Sequence, residues 1–283
     1  MVLPPAFDPP PASILYVPGH KSRALEKARG LPADMIIIDL EDAVPTAEKS
    51  AARQGAAAAM ALGFSGKLVA IRINGSDTDH HAADCALIAQ LRPDAVVLPK
   101  VDSPQSLDAL ALPADIPLIA MIESPAAIYA APSIAAHRRV IALLAGLNDL
   151  AHDLQLPDGR DRSAMMLAIQ SIVLAARANA VLAFDGVYNA IDDAPGFAAE
   201  AADGHRLGFD GKSLIHPSQV APCNAAFAPS AAALADARAL VAAAISGAER
   251  FDDRMVEDMH VDTARSLIRR EELRAARRTG EQS

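Results

Sequence analysis

Eight short runs rich in Ile, Val and Leu recur along this chain, each followed by an alanine-rich stretch with helical spacing, and this alternation points to repeated βα units. The runs are SILYVPG, DMIIIDLEDAV, LVAIRIN, AVVLPK, PLIAMIESP, VIALLAGLNDL, VLAFDGV and DGKSLIHPSQV. Their apolar character is nearly continuous, as expected of strands covered on both faces. Eight such strands imply closure into a barrel. A doubly wound open sheet is the competing arrangement, but the first run leads into the lone Gly19 of VPGH, with no G-x-G-x-x-G after it. The expected fold class is α/β, a (β/α)8 TIM barrel with a C-terminal helical extension.

The length of 283 residues suits a single barrel. Residues 1–228 are expected to form it, with a short proline-rich N-terminal arm. Residues 229–283 then form the extension, whose helical stretches SAAALADARALVAAAISGA and HVDTARSLIRREELRAARR flank the polar ERFDDRMVED. An isolated barrel would not need this piece, so it is expected to cross one end or to reach a neighbouring subunit.

Several function classes fall away. The hydrophobic content of 52% is largely alanine, and runs such as 140–147 stop far short of a bilayer span, so no transmembrane helix is expected. The first residues carry neither a basic region nor a signal-like apolar run, which predicts a cytoplasmic location. A formal charge of -9 argues against a nucleic-acid footprint. The basic run IRREELRAARR, interrupted by Glu271 and Glu272, reads as a solvated helix, with an anionic cofactor as the alternative. Cys85 and Cys223 are too few for a disulfide framework, lack metal-ligand spacing and are expected to be reduced.

Barrel active sites lie at the C-terminal ends of the strands. Here the runs end in Asp39, Glu41 and Asp42, in Arg72 and Asn74, in Lys100, in Glu123 and Ser124, in Asn148 and Asp149, in Asp185, and in Lys212 and His216. One such residue merely marks where a strand meets water, but repetition at nearly every strand predicts convergence on one mouth. Glu123 and Asp149 end successive strands, and two hard oxygen donors suit Mg2+, with an ion pair to Arg72 or Lys100 as the alternative. Adjacent His80 and His81 point in different directions and make a poor metal site. His216 is either a structural strand end or a site residue.

Taken in order, SILYVPGH, IIIDLEDAV, AIRIN, LPK, MIESP, GLNDL, DGV, GFDGKSLIHPSQV and the later MVEDMHVDTA resemble the citrate lyase β-subunit-like, HpcH/HpaI-type CoA ester lyases. The resemblance implies a barrel that binds Mg2+, assembles commonly as a trimer and acts on acyl-CoA or acyl-carrier thioesters of hydroxy acids. It implies Glu123 and Asp149 as metal ligands and Arg72 as a substrate contact and catalytic cation. Glu41, Asp42 and Lys100 become substrate-side residues, and Glu257 or Asp258 the proton-transfer group, reaching from a neighbouring subunit. Two departures stand out: Ala12-Ser13 replaces an Arg-Ser pair, expected to remove a cation near the barrel mouth, and Glu257 stands where the family often has aspartate. The expected reaction is Mg2+-dependent cleavage or formation of a carbon–carbon bond in a 3-hydroxyacyl-CoA such as malyl-, citramalyl- or citryl-CoA. Thioester hydrolysis, a pyruvate-type aldolase, a citrate lyase subunit working on an acyl-carrier protein, and a barrel without chemistry are the alternatives.

Overall fold

In the computed structural model, residues 4–157, 159, 161–245, 250–251 and 254–279 are described. Eight parallel strands close in sequential order: β1 (Ser13–Pro18), β2 (Met35–Asp39), β3 (Leu68–Arg72), β4 (Ala95–Leu98), β5 (Leu118–Ile122), β6 (Val140–Ala145), β7 (Leu182–Asp185) and β8 (Gly211–Leu214). Pairing of Ser13 with Lys212 joins β8 to β1 and completes the (β/α)8 barrel. Helices α1 (Ser22–Gly30), α2 (Lys49–Leu62), α3 (His81–Leu91), α4 (Gln105–Asp108), α5 (Pro125–Ala135), α6 (Leu147–Asp153), α7 (Met166–Ala178), α8 (Ala194–Arg206) and α9 (Val220–Phe227) follow the strands in turn.

Strands β2 to β8 are buried at every position, the consequence of a filled barrel on one face and helices on the other. The helices meet them with small or branched residues at helical spacing: Ala52, Ala56 and Ala59 on α2, and Ile169, Ile172, Val173 and Ala176 on α7. Ser124 caps α5 by accepting from the Ala127 N–H, with Pro125 in the first turn, so the chain turns abruptly after β5.

Register fixes which charges share a barrel end. Asp39 pairs with Arg72, and both are the last residues of their strands. Ala12 immediately precedes β1, where its N–H donates to Asp34 Oδ2. The expectation that Ala12 removes a cation from the catalytic mouth is therefore corrected: the position lies at the N-terminal end of its strand, opposite the end that carries barrel chemistry.

A second compact unit runs from Ala228 onward and includes Phe7–Pro10 from the N-terminal arm, while Pro11–Phe227 belong to the barrel unit. It holds α10 (Ala231–Ile245), the short antiparallel strands β9 (Arg250–Phe251) and β10 (Arg254–Met255), and α11 (Asp258–Thr279). Arg269 pairs with Asp8 at 2.6 Å inside this unit. The stretch Pro217–Ile245 has the length and mean hydropathy, 1.3, of a membrane span. It is not one helix, however: residues 228–230 separate α9, of 8 residues, from α10, of 15, and each falls short of the roughly 20 residues a span requires.

Candidate active site

Parallel pairing of β2 with β3 sets Asp39 beside Arg72, and the two side chains lock bidentately: Arg72 Nε and Nη2 donate to the two Asp39 oxygens, each at 2.7 Å. Asp39 also accepts the N–H of Glu41 at 2.9 Å and of Ala43 at 3.1 Å, which folds the acidic loop around the same carboxylate. From below, Lys49 Nζ donates to the Leu40 and Glu41 carbonyls, both at 2.8 Å, and Asn74 donates to Leu40 at 2.9 Å. The guanidinium is thus fixed before any ligand arrives. Its face lies against Tyr16, 4.8 Å from the ring centroid.

Glu41 Oε2 lies 2.9 Å from Arg72 Nη1 but out of line for a hydrogen bond, and it is buried without another partner among the described residues. Burial pushes its carboxyl up to about 7, against the pull of Arg72. Asp42 is exposed, with an oxygen 3.6 Å from Arg72 Nη1.

Glu123 follows β5 directly and is 3% exposed. Its Oε1 accepts the backbone N–H of Lys100, a residue with φ of 54°. Gly146 makes room for it: a Cβ there would stand 2.3 Å from the Glu123 Cβ and 2.6 Å from Oε2. Burial pushes the Glu123 carboxyl up to about 8, opposed by the Lys100 N–H and reinforced by the charge of Asp149. Asp149 itself stands exposed in the first turn of α6. Glu123, Asp149, Arg72, Asp39, Asp42 and Tyr16 line one cavity of about 340 Å3.

This cavity sets four carboxyl groups, Asp39, Asp42, Glu123 and Asp149, against one guanidinium that Asp39 already occupies. Such a donor set fits a hard divalent cation. Mg2+ is usually held by one or two carboxylates, with water and substrate oxygens completing the shell. Glu123 and Asp149 are the two that fit.

Two sequence expectations are corrected here. Asp185 and Lys212 do not join this cavity's lining; they form a separate buried network at β7 and β8. Lys212 Nζ donates to Asp185 Oδ2 at 2.9 Å, Gly186 O at 2.6 Å and Glu200 Oε1 at 2.8 Å, which uses all three of its donors. Arg162 adds a contact to each Asp185 oxygen and one to Asp203. The side chain of Lys100 is exposed and borders a small neighbouring pocket, so what this residue offers the acidic cavity is its backbone. His216 caps the turn after β8 through Ser218 and Gln219. His81 has both ring nitrogens engaged, with the Asn74 carbonyl and Cys85. Both cysteines are free and buried.

Glu257 and Asp258 stand exposed at the start of α11 in the second unit. Sequence reasoning passed over Tyr16, Met121 and Ser213, all in the cavity lining. The signal was the strand period of two, since Met121 shares a face with Glu123, and Ser213 with Ile215.

The sequence profile of the HpcH/HpaI aldolase/citrate lyase family matches residues 12–217. A (3S)-malyl-CoA thioesterase of Cereibacter sphaeroides (strain KD131) is 43% identical over 273 residues, which span 93% of this chain and 95% of that protein. The citrate lyase subunit beta of Escherichia coli K12 is 32% identical, covering 94% of each. Among solved structures, protein CitE from Mycobacterium tuberculosis in complex with magnesium, acetoacetate and coenzyme A aligns with a TM-score of 0.80 at 31% identity, covering 92% of this chain and 97% of that one. On the extent of these matches and the shared barrel, the chain belongs to the HpcH/HpaI aldolase/citrate lyase family of enzymes.

Proposed function

We propose that this chain is a Mg2+-dependent carbon–carbon lyase that cleaves a 3-hydroxyacyl-CoA thioester of the malyl-, citramalyl- or citryl-CoA type into an acyl-CoA and an α-keto acid, or runs the reverse condensation. The observation that carries this reading is that Glu123 and Asp149 line the same cavity as a pre-fixed Arg72. A magnesium ion bound in the CitE structure, together with coenzyme A, supports it.

Retro-aldol cleavage removes the substrate's hydroxyl proton, breaks the bond between C2 and C3, and leaves the electron pair on an enolate whose charge sits on the thioester oxygen. Glu123 and Asp149 would hold the metal, which when bound would supply Lewis acidity to the hydroxy-acid end of the substrate. Arg72, permanently cationic and immobilised by Asp39, faces the thioester oxygen as it gains charge. Glu41 and Asp42 hold the near side of Arg72 and bias it toward one orientation. Glu257 or Asp258, from a second copy in a homotrimer, carries the proton to or from C2. Acyl-CoA is the substrate form, with an acyl-carrier thioester as the variant.

Hydrolysis of the thioester is the second reading, favoured by the relatives named (3S)-malyl-CoA thioesterase. Incubating the purified protein with a panel of 3-hydroxy-3-carboxyacyl-CoA thioesters, with and without Mg2+, separates the two. Metal-dependent α-keto acid release without free thiol is the expected result. Free thiol without keto acid would replace the lyase by a thioesterase, and silence on the whole panel would remove free CoA thioesters as substrates.

A further inference from the structure

Two hydrogen-bond donors in the acidic cavity converge on an atom that can barely accept them. Tyr16 Oη lies 3.8 Å from Met121 Sδ, and Arg72 Nη1 lies 3.9 Å from the same sulfur. A thioether is a weak acceptor and both distances are long, so the Tyr16 hydroxyl keeps most of its capacity for an oxygen, while Nη1, ion-paired with Glu41 Oε2 at 2.9 Å but out of line with it, keeps a donor direction of its own. The other polar groups lining the cavity are better occupied. Ser213 Oγ donates to the Asp185 carbonyl at 3.0 Å, and the Asn148 and Asn189 amides bond each other, the shorter contact at 2.7 Å. Tyr16 alone among these neutral side chains has a hydroxyl with only a sulfur partner among the described residues.

We infer that Tyr16 is a substrate-touching residue: its hydroxyl and Arg72 Nη1 form a donor pair for the acyl oxygen of the thioester. The inference rests on the proposed acyl-CoA substrate and adds to it a donor that does not depend on the metal. Three features support it. The ring of Tyr16 stacks on the guanidinium, so the hydroxyl and Nη1 are held on one side of the cavity. Asp39 takes the Nε and Nη2 edge of Arg72, which leaves Nη1 between Glu41 Oε2, 2.9 Å away and out of line for a hydrogen bond, and the shared sulfur. Glu123 and Asp149 line the same cavity, so the metal-seeking part of a hydroxy acid and its acyl carbonyl have separate receptors. The acyl oxygen displaces a soft contact rather than a strong one, so little is lost when it binds.

The test uses full-length protein and the variants Tyr16→Phe, which keeps the stacked ring, and Tyr16→Leu, which removes it. Calorimetry compares acetyl-CoA, which carries the acyl oxygen, with CoA, which does not. For the wild type acetyl-CoA binds more tightly than CoA, and in Tyr16→Phe this preference shrinks by roughly 2- to 10-fold, the worth of one hydrogen bond, while CoA and Mg2+ affinities stay put. On a substrate from the panel, kcat in Tyr16→Phe falls roughly 10²-fold, because the donor matters most as the oxygen gains charge. Tyr16→Phe behaving as wild type while Tyr16→Leu is impaired would reduce Tyr16 to a shelf for Arg72 and overturn the inference. A wild type that binds acetyl-CoA no better than CoA would overturn it too. Failure of the whole panel with the acetyl-CoA preference intact and sensitive to Tyr16→Phe would sink the lyase reading and leave the donor pair standing.

Discussion

Two buried charge clusters stand at the strand ends of this barrel, and they are built from the same residue types to opposite effect. Around Lys212, every donor of the ammonium is used, and Arg162 completes the second carboxylate edge, so the cluster ties β7, β8 and α8 together. Around Arg72, the bidentate bond to Asp39 is complete, but Glu41 Oε2, 2.9 Å from Nη1, has no aligned donor, and the one hydrogen bond Nη1 makes among the described residues is to a sulfur. Glu123 and Asp149 line the same cavity with no cationic side chain paired to either among the described residues. The difference teaches that charge and burial do not distinguish a site from a scaffold. Saturation does: groups left without partners are the ones available to a ligand.

The largest way to break this contrast is Lys212→Met. Removing one partner of a buried pair leaves uncompensated carboxylates, so a stability loss of roughly 3–5 kcal/mol is expected in denaturant unfolding. Mg2+ affinity of the protein that remains folded stays unchanged; a loss of metal binding at unchanged stability would make the Lys212 cluster part of the site. Arg72→Lys comes next. The charge survives but the bidentate fork does not, and kcat/KM is expected to fall by about 10²–10³, or roughly 2.7–4 kcal/mol, with a smaller change in stability. An Arg72→Lys enzyme within a few-fold of wild type would show that charge alone suffices.

The barrel was legible because strands covered on both faces must be apolar nearly throughout, and eight such runs leave little else to build. That Glu123 and Asp149 share one cavity was legible for a similar reason: they follow β5 and β6, whose ends closure brings together. Less could be read of direction. A strand's inward and outward faces alternate with every residue, so an apolar run with a charge near its end does not say which way that charge points. Lys212 is the second residue of β8 and not its last, and it turns to Glu200 of α8. Tyr16 hid inside an apolar run because its ring behaves as core while its hydroxyl does not. Glu257 and Asp258 sit in a polar stretch outside the strand pattern, so periodicity gave them no role and only the family resemblance did.

The Glu123 carboxyl gives the contrast a pH signature. Its folded value of about 8 exceeds the ordinary 4.5, so the metal-free protein draws stability from the protonated form, fully below about 4.5 and progressively less as pH rises through 8. Glu41, raised to about 7, adds in the same direction. The Tm of chelator-treated protein is therefore expected to fall between about pH 4.5 and 8, the window from the ordinary carboxyl value to the raised Glu123 value. Mg2+ should restore it most at the alkaline end, and Glu123→Gln should flatten the slope. A Tm in chelator that climbs across this window would contradict the raised carboxyl.

The smallest effect sharpens the contrast most, because it separates backbone from side chain at one residue. Lys100 was expected to touch substrate, yet its side chain is exposed while its N–H bonds Glu123 from a left-handed backbone at φ 54°. An L-residue pays roughly 1–2 kcal/mol for that conformation, glycine almost nothing, and a β-branched residue the most. Lys100→Gly is accordingly expected to hold stability within about 1 kcal/mol, since relieved strain offsets added freedom in the unfolded chain, and to keep both Mg2+ affinity and turnover. Lys100→Val should lose roughly 1–2 kcal/mol and weaken Mg2+ binding, because straining the backbone moves the donor that orients Glu123. If Lys100→Gly instead lost turnover while binding Mg2+ normally, the ammonium would be contacting substrate after all, and the cavity would have a second cation that its resting geometry holds outside.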